Sequence, residues 1–379
     1  MNTIDDMALE LHKKFKGKIT TKLRDDNEID REKLSAYYSP GVAAISREIV
    51  KDEEKLRDYT WTNNLVAVIS DGSAVLGLGD IGPKASLPVM EGKALLFKYF
   101  ADIDSVPIIL DVHSEDEIVE AIKAIAPSFG AINLEDIAAP KCFAIEERLK
   151  NELNIPVFHD DQHGTAIVVL AGLINSMKVV GKDLSQTKIV VVGAGAAGTA
   201  IAKLLSKYAK PEIIMVDSKG AISKNRSDLN SEKIDLLNIT NPNSIDGSLG
   251  GVLDDADIFI GVSKANLLTA DDIKKMAEQP VVFGLANPDP EIEPSLAKQA
   301  GVAVLATGRS DLPNQVNNAV AFPGIFRGAL DNNVTKITDD HKIAAAEVIA
   351  KLIVNPTPDE IIPSIMDKRL VPTIAEVIT

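Results

Sequence analysis

The run KIVVVGAGAAG, residues 188–198, decides the fold. Four β-formers, Ile189 to Val192, lead into Gly193, Gly195 and Gly198 in the spacing G-x-G-x-x-G, and an apolar helical pattern follows at once. Asp217 closes the next apolar strand, EIIMVD, 19 residues after Gly198. A dinucleotide-binding turn requires that context: one glycine for the tight turn, one to admit the pyrophosphate, and one to let the helix approach the sheet. The competing reading of these glycines is a structural tight turn. Asp217 suits ribose hydroxyls and would repel a 2′-phosphate, which favours NAD over NADP. Lys219, Lys224 and Arg226 lie close enough in sequence to soften that preference.

On both sides of this run, apolar strands alternate with helical segments. Downstream, ADIFIG, QPVVFGLAN and AVLATG supply later strands, and HKIAAAEVIAKLI opens a helical return after Pro323. Upstream, the first sixty residues read as helices broken at Ser39-Pro40-Gly41, just after Tyr37 and Tyr38. LVAVISDGSAVLGLG reads as a hairpin around Asp71-Gly72, and a helix is expected over Val89 to Tyr99. VPIILDV, SFGAINLED and IPVFHDD are strands, each followed by a helix. The fold class is α/β: a Rossmann-type dinucleotide-binding domain, a separate N-terminal α/β substrate domain, and returning C-terminal helices. The expected division is 1–160 for substrate and metal, 161–322 for the dinucleotide, and 323–379 for the helices that pack back on the first domain.

A second glycine set, Gly77, Gly79 and Gly82, matches the same spacing, but Pro83 and Pro88 interrupt the start of any following helix. It reads as a loop beside the substrate or a structural crossing, not a second dinucleotide site.

At 379 residues, 45% of them apolar, the chain can bury two cores. A formal charge of −15 disfavours nucleic acid and anionic lipid as partners. The lone cysteine, Cys142, excludes an internal disulfide framework and a multi-thiolate zinc site, and it reads as a buried small hydrophobe. The apolar run Ile189 to Ala202 is too short to cross a bilayer, and the first thirty residues are polar, so a soluble cytoplasmic protein is expected.

Two acidic pairs close strands, Glu135-Asp136 and Asp160-Asp161. Their hard oxygens suit Mg2+ or Mn2+; helix caps or solvated turns are the alternative. On an extended strand neighbours face opposite ways, so one member of each pair would coordinate while the other positions a side chain. His159 and His163 are expected to orient neighbouring groups. Lys93 is either a surface charge or a base beside the metal.

Together YYSPGVA (37–43), GLGDIG (77–82), PVMEGKALLFK (88–98), NLEDI (133–137) and FHDDQHGTA (158–166) resemble the short, bacterial-type malic enzymes. GAGAAG (193–198), ANPDP (286–290) and TGRSDLPNQVNNAVAFPGIFRGAL (307–330) continue the order of motifs. The resemblance implies oxidation of L-malate and its decarboxylation to pyruvate and carbon dioxide, with NAD or NADP and a divalent metal. It implies Glu135, Asp136 and Asp161 as metal ligands, Asp160 as the holder of a catalytic Lys93, and Tyr38 as the acid that completes turnover. Asn287, Asn317 and Asn318 resemble substrate or nicotinamide contacts. Larger members carry an arginine shortly before GLGD to clamp a malate carboxylate; here that position is Ala74, which leaves Ser39 or an asparagine for the task. The resemblance also implies a homodimer or higher assembly, with residues near Tyr38 completing a neighbour's site. Two other readings remain: a malolactic reaction that retains NADH and releases lactate, and a non-catalytic NAD sensor that lacks the metal and proton-transfer residues.

Overall fold

The computed structural model describes residues 4–25, 27–75 and 77–379; Leu76, in the second run of the expected hairpin, lies outside them. Two sheets organise these residues. The first holds β1 (Leu65–Ser70), β2 (Asp104–Ile109), β3 (Ala131–Leu134) and β4 (Val157–His159) in the order β2-β1-β3-β4, all parallel. The second holds β5 (Lys188–Val192), β6 (Glu212–Asp217), β7 (Gly220–Ala221), β8 (Ile258–Gly261), β9 (Val281–Gly284) and β10 (Val304–Thr307). Its order is β10-β9-β8-β5-β6-β7, parallel except for the short β7 at the edge. Parallel strands need crossover helices on both faces, so their side chains are buried on both sides, and β1, β3 and β9 are buried along their whole length. The expected α/β class and the returning helices are therefore observed.

The hairpin expected around Asp71-Gly72 does not form. β1 pairs with β2 and β3, both parallel. Beyond it Gly77 and Gly79 stand at φ +76° and +77°, which no ladder strand accommodates, and an isolated bridge, Val75 to Gly79, is what the described residues form. Asp71 instead turns the chain locally, its Oδ1 accepting from the Ser73 backbone N–H at 3.1 Å and from the Ser73 hydroxyl at 2.6 Å.

The expected break by the two prolines also gives way. One helix runs Pro83–Ala101, with Pro83 in its first turn, where a missing N–H costs nothing, and Pro88 inside it. This longer helix carries Lys93 into the interior.

The helix Asp160–Val180 links the two sheets. It is long and apolar enough to cross a membrane, yet 67% of its apolar window is buried inside the fold. Its burial comes from both sheets and from the C-terminal helices, in one core that takes in Val66 and Val68 of β1, Ile189 and Val191 of β5, and Ala345 and Ile349. The C-terminal return is sealed by rings: Phe97 meets Phe322 at 4.8 Å and Phe326 at 5.1 Å, both edge-on. Each such buried side chain contributes roughly 1.5–3 kcal/mol. The opposite extreme is the N-terminal segment, where the helices Ile4–Phe15, Arg31–Tyr37 and Val42–Lys51 bury none of their residues.

Candidate active site

The carboxyl ends of β3 and β4 lie side by side because the strands pair in register, Leu134 opposite His159. Glu135 leaves β3 with its N–H still on Ile69 O at 2.9 Å, and Asp136 then turns at φ +53°. One carboxylate oxygen each from Glu135, Asp136 and Asp161 lie within 4.8 Å of one another. The sequence leads to one member of each pair in such a cluster; the second pair supplies Asp161 alone, but the first supplies both Glu135 and Asp136. The left-handed turn at Asp136 brings both members of the first pair to one side, and Asp160 and Asp161 sit in the first turn of a helix, not on an extended strand. The Asp136 N–H donates to Asp161 Oδ2 at 2.7 Å and Asn133 Nδ2 to Glu135 Oε2 at 2.8 Å, so the acids are oriented before anything binds.

Lys93 is not a surface charge. Its side chain is 8% exposed, with Nζ 2.6 Å from Asp160 Oδ2, 2.8 Å from Glu135 Oε1 and 4.4 Å above the Phe322 ring. Burial alone would lower its pKa, but Asp160, Glu135 and Asp161 together raise it above the ordinary lysine value. Burial pushes Asp160 and Asp161 up to about 6 and raises Glu135, despite the ammonium beside them. Four acids around one lysine leave an excess of buried negative charge. All-oxygen donors with that excess fit a hard divalent cation such as Mg2+ or Mn2+.

Both histidines that flank the second pair are tied to Glu146. His163 Nε2 lies 2.8 Å from Glu146 Oε2, and Glu146 Oε1 accepts the His159 N–H at 3.0 Å. Burial lowers the pKa of both rings, His163 to about 4. Sequence reasoning missed Glu146: it sits on the helix Lys141–Glu152, and no motif marks it. It missed as well the ion pair of Lys141 with the buried Asp71.

Of the three asparagines, Asn318 lies against Asp160, while Asn287 and Asn317 are fixed elsewhere. A Cβ on Gly77 would meet Asn287 O at 3.1 Å and one on Gly308 would meet Asn287 Nδ2 at 3.2 Å, so the GLGDIG loop and the TGRSD loop pinch Asn287 between them. In the second glycine set, Gly77 is the residue that crosses closely against Asn287; Gly79 and Gly82 have open space where a Cβ would stand. A Cβ on Gly164 would lie 1.9 Å from Asp160 Oδ1 and 3.0 Å from the Asn318 Cβ, which puts Asn318 beside the acids. Asn317 caps the next turn, its Oδ1 accepting the Ala319 N–H at 2.9 Å. Ala74 contributes only backbone, its N–H on Asp136 O at 3.0 Å. Tyr38 is outside the buried cluster, its side chain largely in solvent.

The glycine turn follows β5 and opens the helix Ala196–Tyr208. A Cβ on Gly198 would sit 1.8 Å from Gly193 O, whereas one on Gly195 would meet nothing within 4 Å. Gly198 is therefore required by packing, and the space over Gly195 is open for a phosphate at the helix N-terminus. Asp217 ends β6 as expected, but it is already engaged. Arg226 donates to it at 2.8 and 3.0 Å, Lys233 Nζ at 2.6 Å and the Lys219 N–H at 2.9 Å. Against the cost of burial, these donors lower its pKa to about 2. Lys233, 16 residues on in sequence, escaped the reading of the nearby cations.

Comparison with known proteins accounts for most of the chain. Residues 16–150 match the family "Malic enzyme, N-terminal domain" and residues 162–378 match "Malic enzyme, NAD binding domain". A bifunctional malic/malolactic enzyme of Bacillus subtilis is 53% identical over 379 residues, covering 99% of this chain and 92% of that one. An NADP-dependent malic enzyme of Halomonas elongata is 48% identical over 359 residues, covering 94% and 84%. The crystal structure of an NAD-dependent malic enzyme from Thermotoga maritima superposes with a TM-score of 0.95 at 50% identity, covering 98% of each chain.

Proposed function

The chain belongs to the malic enzyme family, and from that premise we propose how its own residues carry out the reaction. It oxidises and decarboxylates L-malate to pyruvate and carbon dioxide, with the hydride passing to NAD(P). The observation that carries the assignment of roles is Lys93, buried and in contact with both Asp160 and Glu135 beside the three-carboxylate cluster.

Glu135, Asp136 and Asp161 would hold the divalent cation. When bound, the cation supplies a Lewis acid for the C2 oxygen of malate and the dinucleotide an acceptor for the C2 hydride. Lys93 takes the proton of the C2 hydroxyl. Its raised pKa opposes that role while Asp160, Glu135 and Asp161 act on it. With Glu135 and Asp161 serving as cation ligands, Asp160 alone would still hold the ammonium, which would let the neutral amine form. Asp160 then keeps the lysine aimed. Once C4 departs as carbon dioxide, Tyr38 delivers the proton to C3 of enolpyruvate and Lys93 replenishes it. Asn287, Asn317 and Asn318 supply neutral donors for the substrate carboxylates and the nicotinamide amide, in place of the arginine whose position is taken by Ala74.

Gly193, Gly195 and Gly198 cradle the pyrophosphate, and Asp217 at the ribose end favours NAD, with NADP as the second choice because Arg226 and Lys233 already counter its charge. The division into 1–160 for substrate and metal, 161–322 for the dinucleotide and 323–379 for the returning helices leaves Asp161 at the head of the second part, so the helix Asp160–Val180 serves both. The working unit is a homodimer or higher homo-oligomer, in which Tyr38 reaches a neighbour's site. Its exposure here, together with N-terminal helices that bury nothing, supports that arrangement. The enzyme acts in the cytoplasm, where Cys142 stays a buried thiol.

The test is an initial-rate assay with L-malate and Mn2+, reading reduced dinucleotide and pyruvate with NAD and NADP in parallel, with and without metal. Stoichiometric products that require metal are expected; no turnover with either dinucleotide would refute the reading. The bifunctional malic/malolactic relative motivates one further arm. Lactate accumulating in place of free NADH would mark the malolactic reaction.

A further inference from the structure

His159 ends β4 one residue before the acidic pair, and its imidazole is fully buried. Its backbone is fixed, because Glu146 accepts its N–H at 3.0 Å and the same carboxylate holds His163 one turn into the following helix. Yet neither ring nitrogen has a hydrogen-bond partner among the described residues. A buried polar group left without a partner is costly, so natural proteins retain few of them. The nearest acidic oxygen is Asp161 Oδ2, 3.8 Å from His159 Nδ1, just beyond hydrogen-bond reach.

Resting on the reading of Glu135, Asp136 and Asp161 as a cation site, we infer that His159 is a positioning residue for Asp161. The neutral ring carries its proton on Nδ1 and donates it to Asp161 Oδ2 when the cation draws the carboxylates together. Oδ2 already accepts the Asp136 N–H at 2.7 Å. Both protein donors thus converge on one oxygen of Asp161 and leave Oδ1 for the cation. The histidine does not touch substrate or dinucleotide. It fixes which lone pairs the ligand presents, a task for which outer partners of metal ligands are worth about 10–100-fold in affinity.

The geometry names the nitrogen, and that makes the test specific. An asparagine amide nitrogen occupies about the position of histidine Nδ1, and a glutamine amide nitrogen that of Nε2. Mn2+ binding is measured on the full-length protein without malate, by electron paramagnetic resonance of the free ion, for the parent, His159→Phe, His159→Asn and His159→Gln. Thermal midpoint and dinucleotide binding serve as controls of folding. His159→Phe and His159→Gln are expected to weaken Mn2+ by about 10–100-fold, while His159→Asn stays within about threefold of the parent. If the phenylalanine variant does not fold, the asparagine and glutamine pair still decides. Equal affinity of those two, or parent affinity in His159→Phe, overturns the role of His159. If instead the parent binds no Mn2+, or binding survives Asp161→Asn, the cation site itself falls and this inference with it.

Discussion

At Lys93 two opposing influences meet, burial lowering the ammonium's pKa and three carboxylates raising it, and the balance fixes what the residue can do. Lys93→Ala removes the proposed proton carrier and leaves the glycine turn untouched. Turnover of malate is expected to fall by about 10²–10⁴-fold, while dinucleotide binding, followed by fluorescence titration, stays as in the parent. His163 gives a stability prediction of a different kind. Its folded-state pKa of about 4 lies below the ordinary 6.5. As pH falls through 6.5 the unfolded chain takes up a proton that the folded ring refuses. Stability is therefore full above that pH and is lost between it and the folded value, by up to about 1.4 kcal/mol per pH unit. Urea midpoints at pH 7 and pH 5 should separate more in the parent than in His163→Gln, which keeps a donor for Glu146 but does not titrate. An equal separation would remove His163 as the source.

Among the elements, the glycine turn supports a paired expectation. Gly198→Ala forces a carbon to within 1.8 Å of Gly193 O, so both thermal stability and dinucleotide affinity should drop. Gly195→Ala meets no protein atom within 4 Å, so the fold should melt near the parent midpoint while affinity alone falls, because the methyl fills the phosphate's space. A Gly195→Ala protein that melts early would contradict the pyrophosphate reading. The same comparison explains what could be read in advance. The strand-glycine-helix unit was legible because its chemistry is local: β5, the turn and the helix Ala196–Tyr208 are contiguous. The acidic pairs were legible for the same reason, as neighbours at strand ends. The hairpin at Asp71-Gly72 was misread because the partners of β1 lie some forty and sixty residues away, in β2 and β3, and a turn signal cannot report distant pairing. Pro83 and Pro88 read as breakers from composition, but Pro83 falls in the first turn, which tolerates proline, and Pro88 lies inside a helix held by its packing against β2. Glu146, Lys233 and Lys141 act through partners on other elements, and nothing in their own surroundings in the sequence announces them.

For the molecule as a whole, the contrast between its two ends leads to the last test. The C-terminal helices are sealed into the core by Phe322 and Phe326. The N-terminal helices instead leave Leu9 at 73%, Phe15 at 64%, Tyr37 at 60% and Tyr38 at 73% exposed. The proposed homo-oligomer would give these exposed side chains a partner. A second copy is the partner that would also remove Tyr38 from solvent and bring it to a buried Lys93. In a two-fold dimer with that exchange, each site takes its lysine from one protomer and its tyrosine from the other. Tyr38→Phe and Lys93→Ala proteins should each be nearly inactive alone. Refolded together in equal amounts, half of the dimers are mixed, and each mixed dimer has one site with both lesions and one with neither. Activity should return to about a quarter of the parent level. If both residues came from one protomer, every site in the mixture would carry one lesion and no activity would return. Sedimentation of the mixture at assay concentration completes the argument, since recovery in a strictly monomeric sample would refute the shared site.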